Sequence, residues 1–206
     1  EGDSLLDVKM TTGNNNIVIA KSSGKAIRFH ESNVRSMGRG ATGVRGVRLA
    51  DENDSVVGFV CIEEGEERDI LVVSENGYGK RSNVDEYRTT SRGGKGVKTI
   101  SITEKTGALV GILSVNNDND LMIINKSGIL IRLDISTLRV MGRATQGVRL
   151  IKLTKNDMIS SIARIEKVEE EEEELVDGEE VDVIEGENSD VDETTEDSSA
   201  DEDSEE

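Results

Sequence analysis

The chain has no proline, no tryptophan, one cysteine and one histidine among its 206 residues, and aromatics make up 2% of it. Cys61 has no second cysteine to pair with, which excludes an internal disulfide framework and fits a reducing compartment. One His and one Cys cannot build a zinc site. His30 stands beside Glu31 near a turn with no obvious partner, and Cys61 lies in the apolar run GFVCI, where a buried thiol is the ordinary case. No apolar run approaches the ~18 residues of a membrane-spanning helix. The opening residues EGDSLLDVKM lack the basic-then-apolar pattern of a secretory signal, and with no initiator Met they read as part of a longer protein. Acidic pairs such as Asp51/Glu52 and Asp118/Asp120 read as exposed loop residues. No catalytic constellation, metal site or cofactor motif emerges. The chain is therefore expected to be non-catalytic and to need no cofactor of its own.

What the sequence does have is charge, and it is segregated. From Glu166 onward there are 23 Asp and Glu and a single Lys, a formal charge of -22, whereas residues 1–165 hold 24 Lys and Arg against 20 Asp and Glu, a formal charge of +4. A mildly basic body is joined to a strongly acidic tail. The tail is low in complexity and too poor in apolar residues to offset the entropy of ordering it, so residues 166–206 are expected to be disordered.

The body is one unit written three times. NNIVIAKSSGKAIRFHESNVRSMGRGATGVRGVRL from Asn15, RDILVVSENGYGKRSNVDEYRTTSRGGKGVKTISI from Arg68 and NDLMIINKSGILIRLDISTLRVMGRATQGVRLIKL from Asn119 align without a gap at offsets of 53 and 51. Gly24, Gly77 and Gly128 coincide, as do Arg28, Arg81 and Arg132. Arg35, Arg88 and Arg139 coincide too, then Arg39, Arg92 and Arg143, then Gly43, Gly96 and Gly147, then Arg45, Lys98 and Arg149.

IVIA, ILVV and LMII are short apolar runs that end in Ser/Asn/Gly turns, the mark of a strand entering a hairpin. VRGVRL, VKTISI and VRLIKL alternate apolar with polar residues, the period of a half-buried strand. VVGFVCI, LVGILSV and ISSIARI supply one more strand each, and no helical pattern interrupts them. The lack of proline is compatible with uninterrupted ladders. The expected fold is all-β, with about four antiparallel strands per ~50-residue blade. The blades are predicted at 1–63, 64–115 and 116–165, with the tail at 166–206.

In each unit Arg and Gly crowd one connection: RSMGRGATGVR, RTTSRGGKGVK and RVMGRATQGVR. Glycine permits positive φ and close backbone approach, and consecutive free N–H groups in such a turn form a concave anion site. Arg and Lys add direct contacts to phosphate oxygens. One such loop per blade predicts a row of cations along one rim, matched to the evenly spaced charge of a nucleic-acid backbone. The competing reading is that the glycines only make tight turns and the arginines are solvated or paired locally. Arg28, Arg81 and Arg132, just after the hairpin, read equally well as cross-strand ion pairs. Sequence-tolerant single-strand binders need aromatic stacking platforms, and only Phe29, Phe59, Tyr78 and Tyr87 exist here. No RNA-recognition motif is present. Duplex DNA held by its phosphates, and bent along a curved rim, remains.

These motifs resemble the DNA gyrase A C-terminal domain family over essentially the whole body. MGRGATGVRGVRL, SRGGKGVKT and VMGRATQGVRLIKL are similar to that family's blade signatures, and an acidic tail after the last blade is typical of it. The resemblance implies a β-pinwheel whose basic outer rim wraps duplex DNA and so supports ATP-dependent negative supercoiling by the whole enzyme. It implies the rest of gyrase A, together with gyrase B, as partners, and a bacterial, cytoplasmic, nucleoid-associated location. TSRGGKG resembles the gyrase A box through Arg92, Gly93, Gly94, Lys95 and Gly96, while Thr90 and Ser91 depart from it. It is read as a secondary, box-like loop. The DNA-binding set this predicts is Arg35, Arg39, Arg45, Arg88, Arg92, Gly93, Gly94, Lys95, Gly96, Lys98, Arg139, Arg143 and Arg149. Catalytic and metal residues are expected to be absent. The acidic tail is expected to associate with the basic rim in competition with DNA. The alternatives are the matching C-terminal domain of topoisomerase IV and, in another class, a propeller-type protein-interaction scaffold; the MGR…TQGV and RGGKG elements favour gyrase.

Overall fold

The computed structural model describes residues 4–167, so the tail expected to be disordered lies, from residue 168 on, outside the described residues. Eleven strands and three single 3₁₀ turns make up the rest. The strands are β1 (Asn15–Lys21), β2 (Lys25–His30), β3 (Val56–Glu63), β4 (Asp69–Ser74), β5 (Tyr78–Asn83) and β6 (Val97–Lys98). They continue with β7 (Leu109–Val115), β8 (Asn119–Asn125), β9 (Leu130–Asp134), β10 (Val148–Arg149) and β11 (Ile159–Glu166). The fold is all-β, as the alternation in the sequence requires.

Three antiparallel sheets form, in the orders β3-β1-β2-β6, β7-β4-β5-β10 and β11-β8-β9. The second and third repeats thus each give away a strand. β6 belongs to the second unit by sequence yet pairs with β2 of the first, setting Lys98 opposite Lys25 and Val97 opposite Ala26. β10 repeats the exchange one unit on, with Val148 opposite Gly79 and Arg149 opposite Tyr78. The alternating segments were expected to be full strands, but only two residues of each pair in this way. After them the chain turns around the neighbour's hairpin: the N–H groups of Thr99 and Ile100 both donate to Gly24 O, and those of Leu150 and Ile151 to Gly77 O. The first copy, Val44–Leu49, forms no strand, because no unit precedes it among the described residues to offer an edge.

The exchange explains one repeated glycine. Gly96 has φ +76°, and a Cβ there would lie 2.5 Å from the Ala26 carbonyl oxygen. Gly147, at φ +80°, meets Gly79 O in the same way. Only glycine lets the donated strand lie this close to its host.

The core lies between blades. β4 is buried on both faces: Ile70 and Val72 pack with Val18, Ala20, Val60 and Ile62 of the first sheet. Leu71 and Val73 pack with Leu121, Ile123, Ile135 and Ile159 of the third. Tyr87, fully buried, joins the first cluster and shares a 2.5 Å hydrogen bond with the Thr99 hydroxyl. β7 packs against both β3 and β11, so those edges converge and the β6 and β10 edges lie on the opposite border. Asp120 departs from expectation: it sits in β8, is 5% exposed, and takes the Arg132 Nε at 2.5 Å.

Candidate nucleic-acid interface

The three glycine-rich loops are bonded to one another in series. The second loop fastens to the first unit through Thr90 N to Arg28 O (2.9 Å), Gly93 N to Gly46 O (2.6 Å) and Arg48 N to Gly94 O (2.9 Å). The third repeats two of these contacts on the second unit, with Met141 N to Arg81 O (2.8 Å) and Ser101 N to Thr145 O (3.1 Å). Loops one, two and three therefore follow one another along the border that carries β6 and β10.

Within this row the arginines divide into two kinds. Arg92 Nε donates to Asn33 O (2.9 Å) and its Nη1 to Arg45 O (3.1 Å). Arg143 makes the equivalent bonds one unit on, to Glu86 O (2.9 Å) and Lys98 O (2.7 Å). Both are half-buried clamps across a blade junction. Arg35, Arg39, Arg45, Arg88, Lys95, Lys98, Arg139 and Arg149 are exposed. Among the described residues, none of these ten cations forms an ion pair with a carboxylate.

The post-hairpin arginines, by contrast, are each paired with a carboxylate. Arg81 Nε meets Asp69 at 2.5 Å while its Nη1 reaches Ile135 O of the next unit at 3.2 Å. Arg28 Nε instead donates to the Asn16 amide oxygen (3.3 Å), while its Nη1 reaches Val84 O (2.9 Å) and pairs with Asp85 (3.4 Å) of the next unit. Arg132 keeps only Asp120. Arg81 and Arg132 form the cross-strand ion pairs of the alternative reading, while Arg28 is tied across the blade junction.

The box-like loop borders a hollow of about 420 Å³ lined by Arg88, Arg92, Lys95 and the glycines between them. Gly93 (φ +79°) and Gly96 (φ +76°) bend the chain around it. Among the described residues no acceptor is paired with the N–H groups of Gly94, Lys95 or Gly96. A glycine-lined hollow beside unneutralised cations is a shape that can hold a phosphate-sized anion.

One buried cation beneath the loops escaped the sequence reading. Lys80 is 1% exposed, and its Nζ donates to Gly142 O of the third loop at 2.6 Å. Burial lowers its pKa from 10.5 to about 8; Glu86 pulls it up and Arg143 pushes it down. The signal was available, since its aligned positions are Ile27 and Ile131. His30 caps a 3₁₀ turn by accepting from Ser32 N, and burial raises the Cys61 thiol. Among the described residues no group of three or more His, Cys, Asp or Glu could hold a metal ion. No helix there is long and apolar enough to cross a membrane.

Three blades that exchange edge strands around buried aliphatic faces define a propeller-type repeat domain. The family model for the DNA gyrase C-terminal domain, a beta-propeller, matches residues 16–63, 68–116 and 119–166. The chain belongs to this family, the C-terminal domains of DNA gyrase A. It is 47% identical over 165 residues to DNA gyrase A of Staphylococcus epidermidis, covering 80% of this chain and 18% of that protein. Against the Staphylococcus aureus protein (strain MRSA252) it is 45% identical over 174 residues, covering 84% and 20%. The chain thus spans about a fifth of the length of these relatives. It is similar to a solved DNA gyrase A C-terminal domain, with TM-score 0.67, 27% identity, and coverage of 75% of this chain and 52% of that one. A topoisomerase IV C-terminal domain shares the fold, with TM-score 0.72 at 22% identity over 78% of this chain and 49% of that one.

Proposed function

We propose that the chain binds and bends duplex DNA through its serial glycine-rich loops, as the non-catalytic C-terminal module of DNA gyrase A. One observation carries this reading: the loop cations follow one border and none is neutralised by a carboxylate among the described residues. A row of unneutralised cations raises the local concentration of a polyanion. The contacts are to phosphates, so binding is indifferent to base sequence. The exposed set, Arg35, Arg39, Arg45, Arg88, Lys95, Lys98, Arg139 and Arg149, makes them directly. Arg92 and Arg143 hold the loops in line, Gly93 turns the chain while its N–H ties to Gly46 O, and Gly94, Lys95 and Gly96 offer backbone donors.

In the whole enzyme the module works with the rest of gyrase A and with gyrase B, in the bacterial cytoplasm at the nucleoid, where wrapped DNA supports ATP-dependent negative supercoiling. The acidic tail competes with DNA for the same cations. A gel-shift series at two salt concentrations tests the core of this reading. With ~6 phosphate contacts, affinity falls about a thousandfold between 50 and 200 mM salt. Binding that ignores salt would instead fit a protein-interaction scaffold. For the tail, a chain ending at Lys167 binds duplex more tightly at low salt than the full chain does; equal affinity would sink that part.

A further inference from the structure

One cluster of cations, at the end of the third glycine-rich loop and running beyond it, is only partly balanced by opposing charge. At the border of the middle blade, Tyr78 of β5 lies directly opposite Arg149 of the donated β10. The phenol oxygen accepts from Arg149 Nε at 3.2 Å and Nη2 at 2.9 Å. Lys105 Nζ stands 5.3 Å from the Tyr78 ring centroid, and Arg149 Cζ stands 5.5 Å from it. The phenol titrates below its usual value, first because of the Arg149 hydrogen bond and also through the charges of Arg149 and Lys105, against an opposing effect of burial. These residues and Lys152 line a hollow of about 380 Å³.

The charges around this hollow do not balance. Among the described residues, Lys105, Arg149 and Lys152 make no ion pair. The carboxylate in the lining, Asp157, already accepts from Asn125 Nδ2 (2.5 Å), Ser127 Oγ (2.9 Å) and Met158 N (2.9 Å). The Tyr78 hydroxyl accepts twice, while its own proton has no acceptor among the described residues. Three cations and one free hydroxyl donor converge on a small hollow. The aligned place in the first blade differs, with Lys25 for Tyr78, Glu52 for Lys105 and Ser101 for Lys152.

We propose that Tyr78, Lys105 and Lys152 join Arg149, the last cation of the third loop, in a phosphate-oxyanion site that pins the backbone of bound duplex to the middle blade. This deepens the DNA-binding reading and rests on it. Tyr78 is 7% exposed, with cations near its ring, so it acts as a hydroxyl donor rather than as a stacking platform. Arg149 holds the phenol in place and shares the incoming oxygen, and the two lysines add point charges.

The test uses the full chain with carbon-13 at the tyrosine ζ position. There are only two tyrosines, and Tyr78→Phe assigns them. Saturating duplex shifts the Tyr78 resonance and leaves Tyr87 in place. Lys105→Ala melts like the wild type but binds duplex several-fold more weakly, with a log–log salt slope smaller by about 0.9. A Tyr78 resonance unmoved by saturating duplex overturns the proposal. Inorganic pyrophosphate separates the sources. A response to duplex alone assigns the site to the DNA backbone, and a response to both shows that free phosphates also enter. If the chain binds no duplex at all, the DNA reading falls and pyrophosphate decides. A Tyr78 shift that Lys105→Ala abolishes upholds the oxyanion site, and silence removes it.

Discussion

The first and second glycine-rich loops carry the same cation at the same repeat position and use it differently. Arg92 reaches back to two carbonyls of the unit before it, and Arg143 copies those bonds at the next junction. Arg39 has no unit before it among the described residues, and its side chain is exposed there. The repeat therefore encodes a guanidinium and not a role. A neighbour with free carbonyls turns it into a clamp, and its absence leaves a charge facing solvent. The same division separates Gly96, pressed against Ala26, from Gly43, whose added Cβ would meet nothing within 4 Å.

The largest expected effect sharpens this contrast. Gly96→Ala forces an alanine into φ +76° and against a carbonyl, so the donated strand must move; we expect a loss of at least ~3 kcal/mol. Gly43→Ala suffers only the conformational cost at φ +85°, about 1 kcal/mol. Urea melts of the two variants check the difference, and equal losses would mean that β6 contributes little to holding the blades.

Next comes Lys80, beneath the third loop. The folded chain holds this proton less tightly, at about 8 against 10.5, so it releases the proton before the unfolded chain does. Stability therefore rises with pH between those two values. Lys80→Ile, which restores the aligned residue, removes that rise. Below pH 8 it stabilises by roughly 1–3 kcal/mol, and the gap closes by about pH 10.5. Gly142 O keeps its bonds from Thr145 in the variant, so no carbonyl is orphaned. Parallel stability curves for the two proteins across this range would show that Lys80 carries no buried charge.

The sequence makes the strands, hairpins and loop positions readable because three aligned copies average out local ambiguity. It does not reveal the exchange of β6 and β10, since alternation states that a segment is a strand and not whose edge it joins. For the same reason the junction bonds of Arg92 and Arg143 are not legible in the sequence: an arginine in a glycine loop looks alike whether its fork meets a phosphate or a carbonyl. Asp120 looked like a loop acid because NNDND is polar throughout, yet β8 begins at Asn119 and carries it inside. Tyr78 stood out only as an aromatic, and its partner Arg149 lies 71 residues away.

The smallest effects on folding separate clamp from contact most directly. Arg92→Ala removes two junction bonds from a half-exposed guanidinium, so it should cost ~1–2 kcal/mol of stability. Its loss of DNA binding then comes with a loss of stability, from the displaced loop as well as the missing charge. Arg39→Ala and Lys95→Ala remove no bond among the described residues and should change stability by no more than ~0.5 kcal/mol. Each should still lower duplex affinity equally for all sequences and reduce the salt slope by about 0.9. Chemical melts and gel shifts on the same three variants place each residue in one class. If Arg39→Ala destabilised the fold as much as Arg92→Ala, the first loop would be anchored after all and the distinction between the two loops would vanish. If Lys95→Ala changed which sequences are preferred, its contact would be with a base edge and not with the phosphate that the glycine-lined hollow suits.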